Sequence, residues 1–326
     1  MKKKLKAAII GLGQVGILFD EDEKRRNASE LYTHFSAYQT LEEIYDLVAV
    51  VDSDISKFEF AKNRIPDIAC FSSIENMLIK KEIDVVSICT PDDSHLQCLQ
   101  LLIGKVKGVF IEKPICGINE LNQTLNLIAE AKRKNLSIRV NYYKTTEPLF
   151  NKAMAFMDKQ DTIYLSAKYS GPFDAVGSHA LHLLVSLTSS LEIIKSFRHS
   201  MEEGDGITAL FQHKKNCLSE LIYCGSRHQL IFELDILSKN SRAILSDNFS
   251  TLKLFNYKES PRYQGYNEIE LISEDHVSGN SERFIQFLKE LALEIKGGQL
   301  SYYNLNKAIE TQELMDHLSR ESLCPS

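Results

Sequence analysis

Apolar residues over the first 142 positions come in short, nearly continuous runs, each followed by a stretch of helical spacing. The runs are AAII (7–10), DLVAVVDSD (46–54), IDVVSICTP (83–91), KGVFIEKP (107–114) and LSIRVNYY (136–143). Between them, ISKFEFAKNRI, SHLQCLQLLIGK and INELNQTLNLIAEAKRKN carry apolar residues three and four positions apart. Runs without polar alternation suit strands buried on both faces, and their alternation with helices predicts a parallel, doubly wound sheet. That α/β domain is expected over residues 1–142.

Past Pro148 the period changes. A helix, PLFNKAMAFMDK, leads into segments of roughly alternating character, among them TIYLSAKYSG, ITALFQHKKN, CLSELIYCG, SRAILSDN and STLKLFNYK. Turn signals such as CGS, SKNS and SDN separate several of them. Alternation of this kind predicts an open, mainly antiparallel sheet with one buried face. Two helices, SERFIQFLKELALEIKG and NLNKAIETQELMDHLSRE, end the pattern. Residues 143–326 are therefore expected to form a second, α+β domain for substrate binding and oligomerisation.

Composition narrows the classes. A length of 326 residues makes two domains the natural expectation, and 44% hydrophobic with 25% charged residues is globular. The net charge of −6, without a basic block, argues against a nucleic-acid partner. No apolar run is long enough to cross a bilayer, so no membrane partner is expected. MKKKLK imitates the start of a secretory signal, but glycines and Gln14 break the apolar stretch and no small-residue cleavage site follows. The seven cysteines are scattered with no C-x-x-C pair, as reduced thiols of a cytoplasmic protein would be.

The first apolar run ends in GLGQVG, with Gly11, Gly13 and Gly16 spaced G-x-G-x-x-G around Gln14 and Val15. Gly11 permits a tight turn, Gly13 lets a pyrophosphate approach the backbone, and Gly16 lets helix and strand pack closely. The following helix would aim its free N–H groups at the phosphates. This is the signature of a dinucleotide-binding Rossmann domain. Asp52 ends the second run, where a carboxylate accepts hydrogen bonds from the adenosine ribose and repels a 2′-phosphate, so the expected cofactor is NAD in preference to NADP. The stretch LFDEDEKRRNASELYTHF lengthens the spacing from Gly16 to Asp52 and reads as an insertion. Asp52 also suits a helix cap ahead of SKFEF.

Thr90 and Pro91 end the third long run, in the crevice where open sheets bind ligands, with His95 a helical turn on. Thr-Pro-Asp-Asp is equally a good strand-to-helix turn. Glu112-Lys113-Pro114 closes another run at the same sheet edge. There a partly desolvated Lys113 beside a cationic nicotinamide has a lowered pKa and can exchange a proton with a hydroxyl. A solvated lysine at a strand end is the alternative.

In this order, GLGQVG, the run ending in Asp52, SICTP, FIEKP and GSHALH resemble the Gfo/Idh/MocA oxidoreductases, relatives of glucose–fructose oxidoreductase and inositol dehydrogenase. The resemblance implies a Rossmann domain followed by an α/β domain whose open sheet often forms a dimer face, here a homodimer or homotetramer. It implies hydride transfer between the nicotinamide and a hydroxyl or carbonyl of a carbohydrate, namely a sugar, inositol or nucleotide sugar. The lysine of the family's EKP falls on Lys113, and the histidine of its D-x-G-x-H-x-x-D on His179. The aspartates expected around that histidine are replaced by Ala175 and His182, with Asp174 next door as a substitute. Glu112 joins the cofactor set, and Tyr142, Lys144 and His182 the substrate set. His179 and His182 have a zinc-compatible spacing, but no completing ligand is nearby and no metal is expected. Besides a sugar or nucleotide-sugar dehydrogenase, a polyol dehydrogenase and a non-catalytic NAD(H)-binding regulator remain open, the last because of Ala175 and His182.

Overall fold

The computed structural model describes residues 3–22, 31–157, 162–200, 202, 204–214, 217–277 and 283–321. The chain divides into two compact units: Met1–Tyr143 with Asn280–Gln312, and Lys144–Gly279 with Glu313–Ser326.

Six parallel strands form the sheet of the first unit: β1 (Leu5–Ile10), β2 (Tyr45–Val51), β3 (Ala69–Phe71), β4 (Val85–Ile88), β5 (Gly108–Ile111) and β6 (Ser137–Val140). Their order is β3-β2-β1-β4-β5-β6, the doubly wound arrangement, with the chain reversing direction between β1 and β4. Successive residues of β1 serve opposite faces, as a strand period of two requires. Ala7 and Ile9 join one apolar cluster, with Phe35, Tyr38 and Phe110, while Ala8 and Ile10 join another, with Leu99, Ile128 and Ile138. The short strand β3 is absent from the sequence expectation, because its three residues are only half-buried and too few to show a period.

The glycine turn departs from the expected strand–turn–helix. One helical turn does follow, with Ile17 N–H donating to the Gly13 carbonyl. The chain then leaves through Leu18–Glu21 and resumes as helix His34–Thr40, which Thr33 caps through Ser36 N–H. His34 N–H donates to the Val15 carbonyl and Phe35 N–H to that of Gly16. The helix is thus assembled from two pieces across the insertion. Residues 23–30 of that insertion, which include the last four positions of the DEDEKRR stretch, lie outside the described residues.

Residues 280–312, assigned by periodicity to the second domain, group with the first unit. Helix Ile285–Ile295 lays Phe287, Leu288 and Leu291 into the cluster beneath the sheet. Arg139 of β6 reaches Glu290 and Glu294 at 3.2 and 2.6 Å. Asn304, in helix Tyr303–Glu321, pairs with both the N–H and the carbonyl of Val140, covering the open edge of β6.

The second unit carries eight strands: β7 (Thr162–Tyr169), β8 (Glu192–His199), β9 (Gly206–Lys214), β10 (Cys217–Tyr223), β11 (Phe232–Ser238), β12 (Ser241–Ser246), β13 (Thr251–Glu259) and β14 (Asn267–His276). Their order is β14-β13-β12-β11-β7-β10-β9-β8, antiparallel except for the parallel pair β7–β10. Leu165, Ala167, Phe211, Leu221, Leu234 and Leu245 bury one face against helices Pro148–Phe156 and Ser178–Leu187.

Candidate functional site

Every strand of the first sheet ends level with its neighbour, and past five of the six ends the next residue is tied across the gap. Asp52 N–H donates to Phe71, Gly11 to Val51, Cys89 to Ile10, Glu112 to Ile88 and Asn141 to Ile111, all at 2.7–3.1 Å. These bonds bring the glycine turn, Asp52, Cys89-Thr90-Pro91 and Glu112-Lys113 to a single carboxyl edge. A cleft of about 720 Å³ opens there, lined by Gly11, Gly13, Asp52, Ser53, Lys57, Thr90 and Pro91 among others. Its place beside the reversal between β1 and β4 is where open α/β sheets take ligands.

Each glycine has a separate reason. Gly11 has φ +91°, and a Cβ there would meet the Cys89 carbonyl carbon at 2.7 Å. At Gly16 a Cβ would lie 2.2 Å from the Gly11 carbonyl oxygen. Gly13 differs, because no protein atom lies within 4 Å of the Cβ it lacks. It leaves open the wall of the cleft where a pyrophosphate needs close approach, and on this ground the residues fit a dinucleotide. Gln14 is exposed beside it and Val15 half-buried.

Asp52 is buried and holds the turn. Its carboxylate accepts Leu12 N–H at 2.7 Å, Asp54 N–H at 2.8 Å and the Lys57 ammonium at 3.2 Å. Thr90 and Pro91 line the cleft as expected. Beside them, burial, together with the Glu112 charge, pushes the Cys89 thiol well above its ordinary range. It is therefore a packing thiol and not a nucleophile.

Three residues expected at ligand positions turn inward instead. His95 is buried, with Nδ1 2.9 Å from the Pro114 carbonyl and Nε2 2.9 Å from the Thr90 carbonyl. Both ring nitrogens are committed to backbone, so His95 ties the Thr90 turn to the Lys113–Pro114 turn and does not line the cleft. The Lys113–Pro114 peptide is cis. The Glu112 side chain also points into the core, where Oε1 takes His34 Nε2 at 2.7 Å and Asn141 Nδ2 at 2.6 Å. Tyr142 is fully buried in the apolar cluster of the first unit, and burial raises its phenol well above the usual range. A side chain enclosed in this way is core, not a contact for sugar hydroxyls. Lys113, between Glu112 and Pro114, is half-buried at the carboxyl edge.

In the second unit, Asp174 lies in a turn of π-helix, Phe173–Gly177, that runs into helix Ser178–Leu187. Its Oδ1 accepts the Ala175 N–H at 2.8 Å, while the side chain stays exposed. His179 and His182 follow on that helix and are both buried. Gly177 lets the turn press on Tyr169, whose ring a Cβ would meet at 2.7 Å. Lys144 is not placed as a substrate contact. It is buried, paired with Glu147 at 2.8 Å, bonded at 3.0 Å to the carbonyl and side chain of Asn248, and set over the rings of Phe232 and Phe249. Those partners use the directions in which an ammonium can donate. Among the described residues, no group of three or more His, Cys, Asp or Glu side chains could hold a metal ion.

Sequence reasoning missed His34, Ser87, Asn141 and Lys57. His34 Nδ1 sits 3.0 Å from Ser87 Oγ, which Tyr38 OH contacts at 2.9 Å, so a chain of buried polar groups runs to Glu112. The spacing of Leu31, His34, Phe35 and Tyr38 was the available signal, and the insertion detached it from the glycine turn. Lys57 was hidden in a segment read only for its apolar spacing.

Residues 5–142 match the sequence model of Gfo/Idh/MocA, described as an oxidoreductase family with an NAD-binding Rossmann fold. An oxidoreductase of Formosa agariphila is 30% identical over 161 residues, 48% of this chain and 44% of that protein. The matched stretch thus spans less than half of that relative. Among solved structures, UDP-N-acetylglucosamine 3-dehydrogenase from Acidithiobacillus ferrooxidans aligns with a TM-score of 0.76 at 17% identity, over 98% of either chain. A variant of a 3-ketoreductase from Actinomadura kijaniata, solved with TDP-benzene and NADP, aligns with a TM-score of 0.73 at 14% identity, again over 98% of either chain. At such identities the likeness is one of fold. No helix among the described residues is long and apolar enough to cross a membrane.

Proposed function

We infer the reaction from one premise: residues 5–142 belong to the Gfo/Idh/MocA family, oxidoreductases with an NAD-binding Rossmann fold. The reading it supports best is an NAD(H)-dependent dehydrogenase or reductase acting on a hydroxyl or carbonyl of a sugar or nucleotide sugar. The observation that carries it is the shared carboxyl edge, where the open wall at Gly13, the buried Asp52 and Lys113 all lie. The nucleotide-sugar substrate is favoured by the names of relatives with this fold, a UDP-sugar dehydrogenase and a 3-ketoreductase solved with a TDP compound.

When bound, the dinucleotide supplies the hydride acceptor or donor. The chain's own residues do the rest. Backbone N–H groups of the Gly11–Gly16 turn bind the pyrophosphate, and Asp52 fixes the turn through Leu12. Lys113 takes the proton from the substrate hydroxyl as its C–H bond breaks, or returns it in reduction. His179, with Asp174, is the second proton-handling pair in this proposal. Positioning and proton transfer are the protein's contribution.

Lys113→Ala is expected to abolish turnover on a panel of nucleotide sugars, free sugars and inositols, while NADH affinity, followed by fluorescence, stays within about threefold. Turnover near the wild-type rate would overturn the role of Lys113. NADH binding by the wild type without turnover on any member would favour the non-catalytic reading raised by Ala175 and His182.

A further inference from the structure

The carboxylate of Asp52 is already fully engaged. Oδ2 accepts Leu12 N–H at 2.7 Å and Lys57 Nζ at 3.2 Å, and Oδ1 accepts Asp54 N–H at 2.8 Å and Lys57 Nζ at 3.2 Å. A carboxylate offers about four acceptor sites, and all are used. The two backbone donors are fixed by the turns they belong to, so only Lys57 can yield. Its side chain is 26% exposed against 7% for Asp52, and it sits on the wall of the cleft beside Ser53.

Charge matters as much as geometry. Among the described residues lining the cleft, Lys57 is the one cation, set against the carboxylates of Asp52 and Glu75. An acid at the end of β2 repels a 2′-phosphate only while its own charge is uncompensated. Here the ammonium cancels that charge from within hydrogen-bonding distance. A cation near this position is also the usual means of accommodating a 2′-phosphate.

We propose that Lys57 makes the site a dual one, taking NADP(H) as well as NAD(H), with the ammonium shared between Asp52 and the 2′-phosphate. The inference rests on the reading that this cleft holds a nicotinamide dinucleotide, and extends it. With NADP(H), Lys57 keeps one Asp52 oxygen, so the carboxylate stays compensated, and donates a further N–H to the phosphate in a charge-assisted bond. With NAD(H), it swings from one carboxylate oxygen and frees that oxygen for a ribose hydroxyl. The same flexible side chain thus serves either ribose.

The test is titration of NADH and NADPH, followed by nicotinamide fluorescence, into wild type, Lys57→Gln, Lys57→Ala and Lys57→Arg. Wild type is expected to bind the two within about tenfold of each other, and both charge-removing variants to weaken NADPH by about ten- to a hundredfold. NADH should stay within about threefold in all of them, and Lys57→Arg should keep NADPH binding because the cation remains. Lys57→Gln keeps much of the side chain's stem and a polar end without the charge, so a packing defect confined to Lys57→Ala is separable. Wild type that excludes NADPH by more than about a hundredfold overturns the proposal. So does an equal change for both dinucleotides in the charge-removing variants. Binding of neither dinucleotide would overturn the cofactor reading itself, and the inference with it.

Discussion

Glu112 is the clearest case of one residue whose neighbours decide its chemistry. Burial alone would raise its carboxyl, yet the hydrogen bond and charge of His34, the Asn141 amide and the Lys113 charge together hold it below the usual carboxylate range. A depressed folded-state value adds stability that is fully present above the ordinary carboxylate range. That contribution is lost as pH falls through the folded value. The acid limb of a melting-temperature profile should therefore be shallower in Glu112→Gln than in wild type. Removing the partner has a different effect: His34→Ala leaves a buried carboxylate with the Asn141 amide but without its histidine. The expected cost is about 3–5 kcal/mol in a denaturant melt, partly recovered by adding Glu112→Leu, because an uncompensated buried charge costs more than its absence. A simple loss of packing at His34 would predict no recovery.

At the scale of the element, the glycine turn separates structure from binding. Gly16→Ala sets a Cβ against the Gly11 carbonyl at 2.2 Å, backbone against which nothing can yield, and should destabilise by about 1–3 kcal/mol. Gly13→Ala meets no protein atom within 4 Å, so its melting temperature should stay near wild type while NADH affinity falls about tenfold. Calorimetry and fluorescence titration on the two variants check the contrast. These elements show why parts of the fold were legible in the sequence. Runs such as IDVVSICTP stop at residues that end strands, so the sheet edge and the Gly11, Asp52 and Thr90 positions could be read directly. The inward turn of Glu112 and His95 could not, because their partners, His34 and the Pro114 carbonyl, are distant or backbone. The interrupted helix was illegible for a related reason: its two pieces join through bonds from His34 to Val15 and from Phe35 to Gly16, which span the insertion. Helix Ile285–Ile295 shows its apolar face plainly, but periodicity does not say which sheet that face meets.

For the whole molecule, the outer face of the second sheet bears on assembly. Strand register sets Leu218 beside Tyr164, Tyr164 beside Leu237, Leu237 beside Arg242, Arg242 beside Phe255 and Phe255 beside Leu271. This largely apolar row crosses β10, β7, β11, β12, β13 and β14, about 24 Å at the usual strand spacing. The neighbouring row, Glu220, Ser166, Asp235, Ile244 and Lys253, is mainly polar. It carries the bond from Ser166 to Glu220 and the ion pair of Asp235 with Arg242. An apolar row flanked on one side by paired polar groups has the composition of an interface more than of a solvated face. Leu218 and Leu271 are 38% and 50% exposed, so each can still bury apolar area on association. Two copies meeting about a twofold axis would use the row twice, which doubles both the gain and the effect of a substitution. Full burial of a leucine is worth about 1.5–3 kcal/mol, and a carboxylate in its place faces desolvation instead. Wild type is therefore expected to sediment as a homodimer or homotetramer at micromolar concentration, and the double variant Leu218→Glu, Leu271→Glu as a monomer with an unchanged far-UV spectrum. A wild-type monomer, or an assembly that survives both substitutions, would place the contact elsewhere on the molecule.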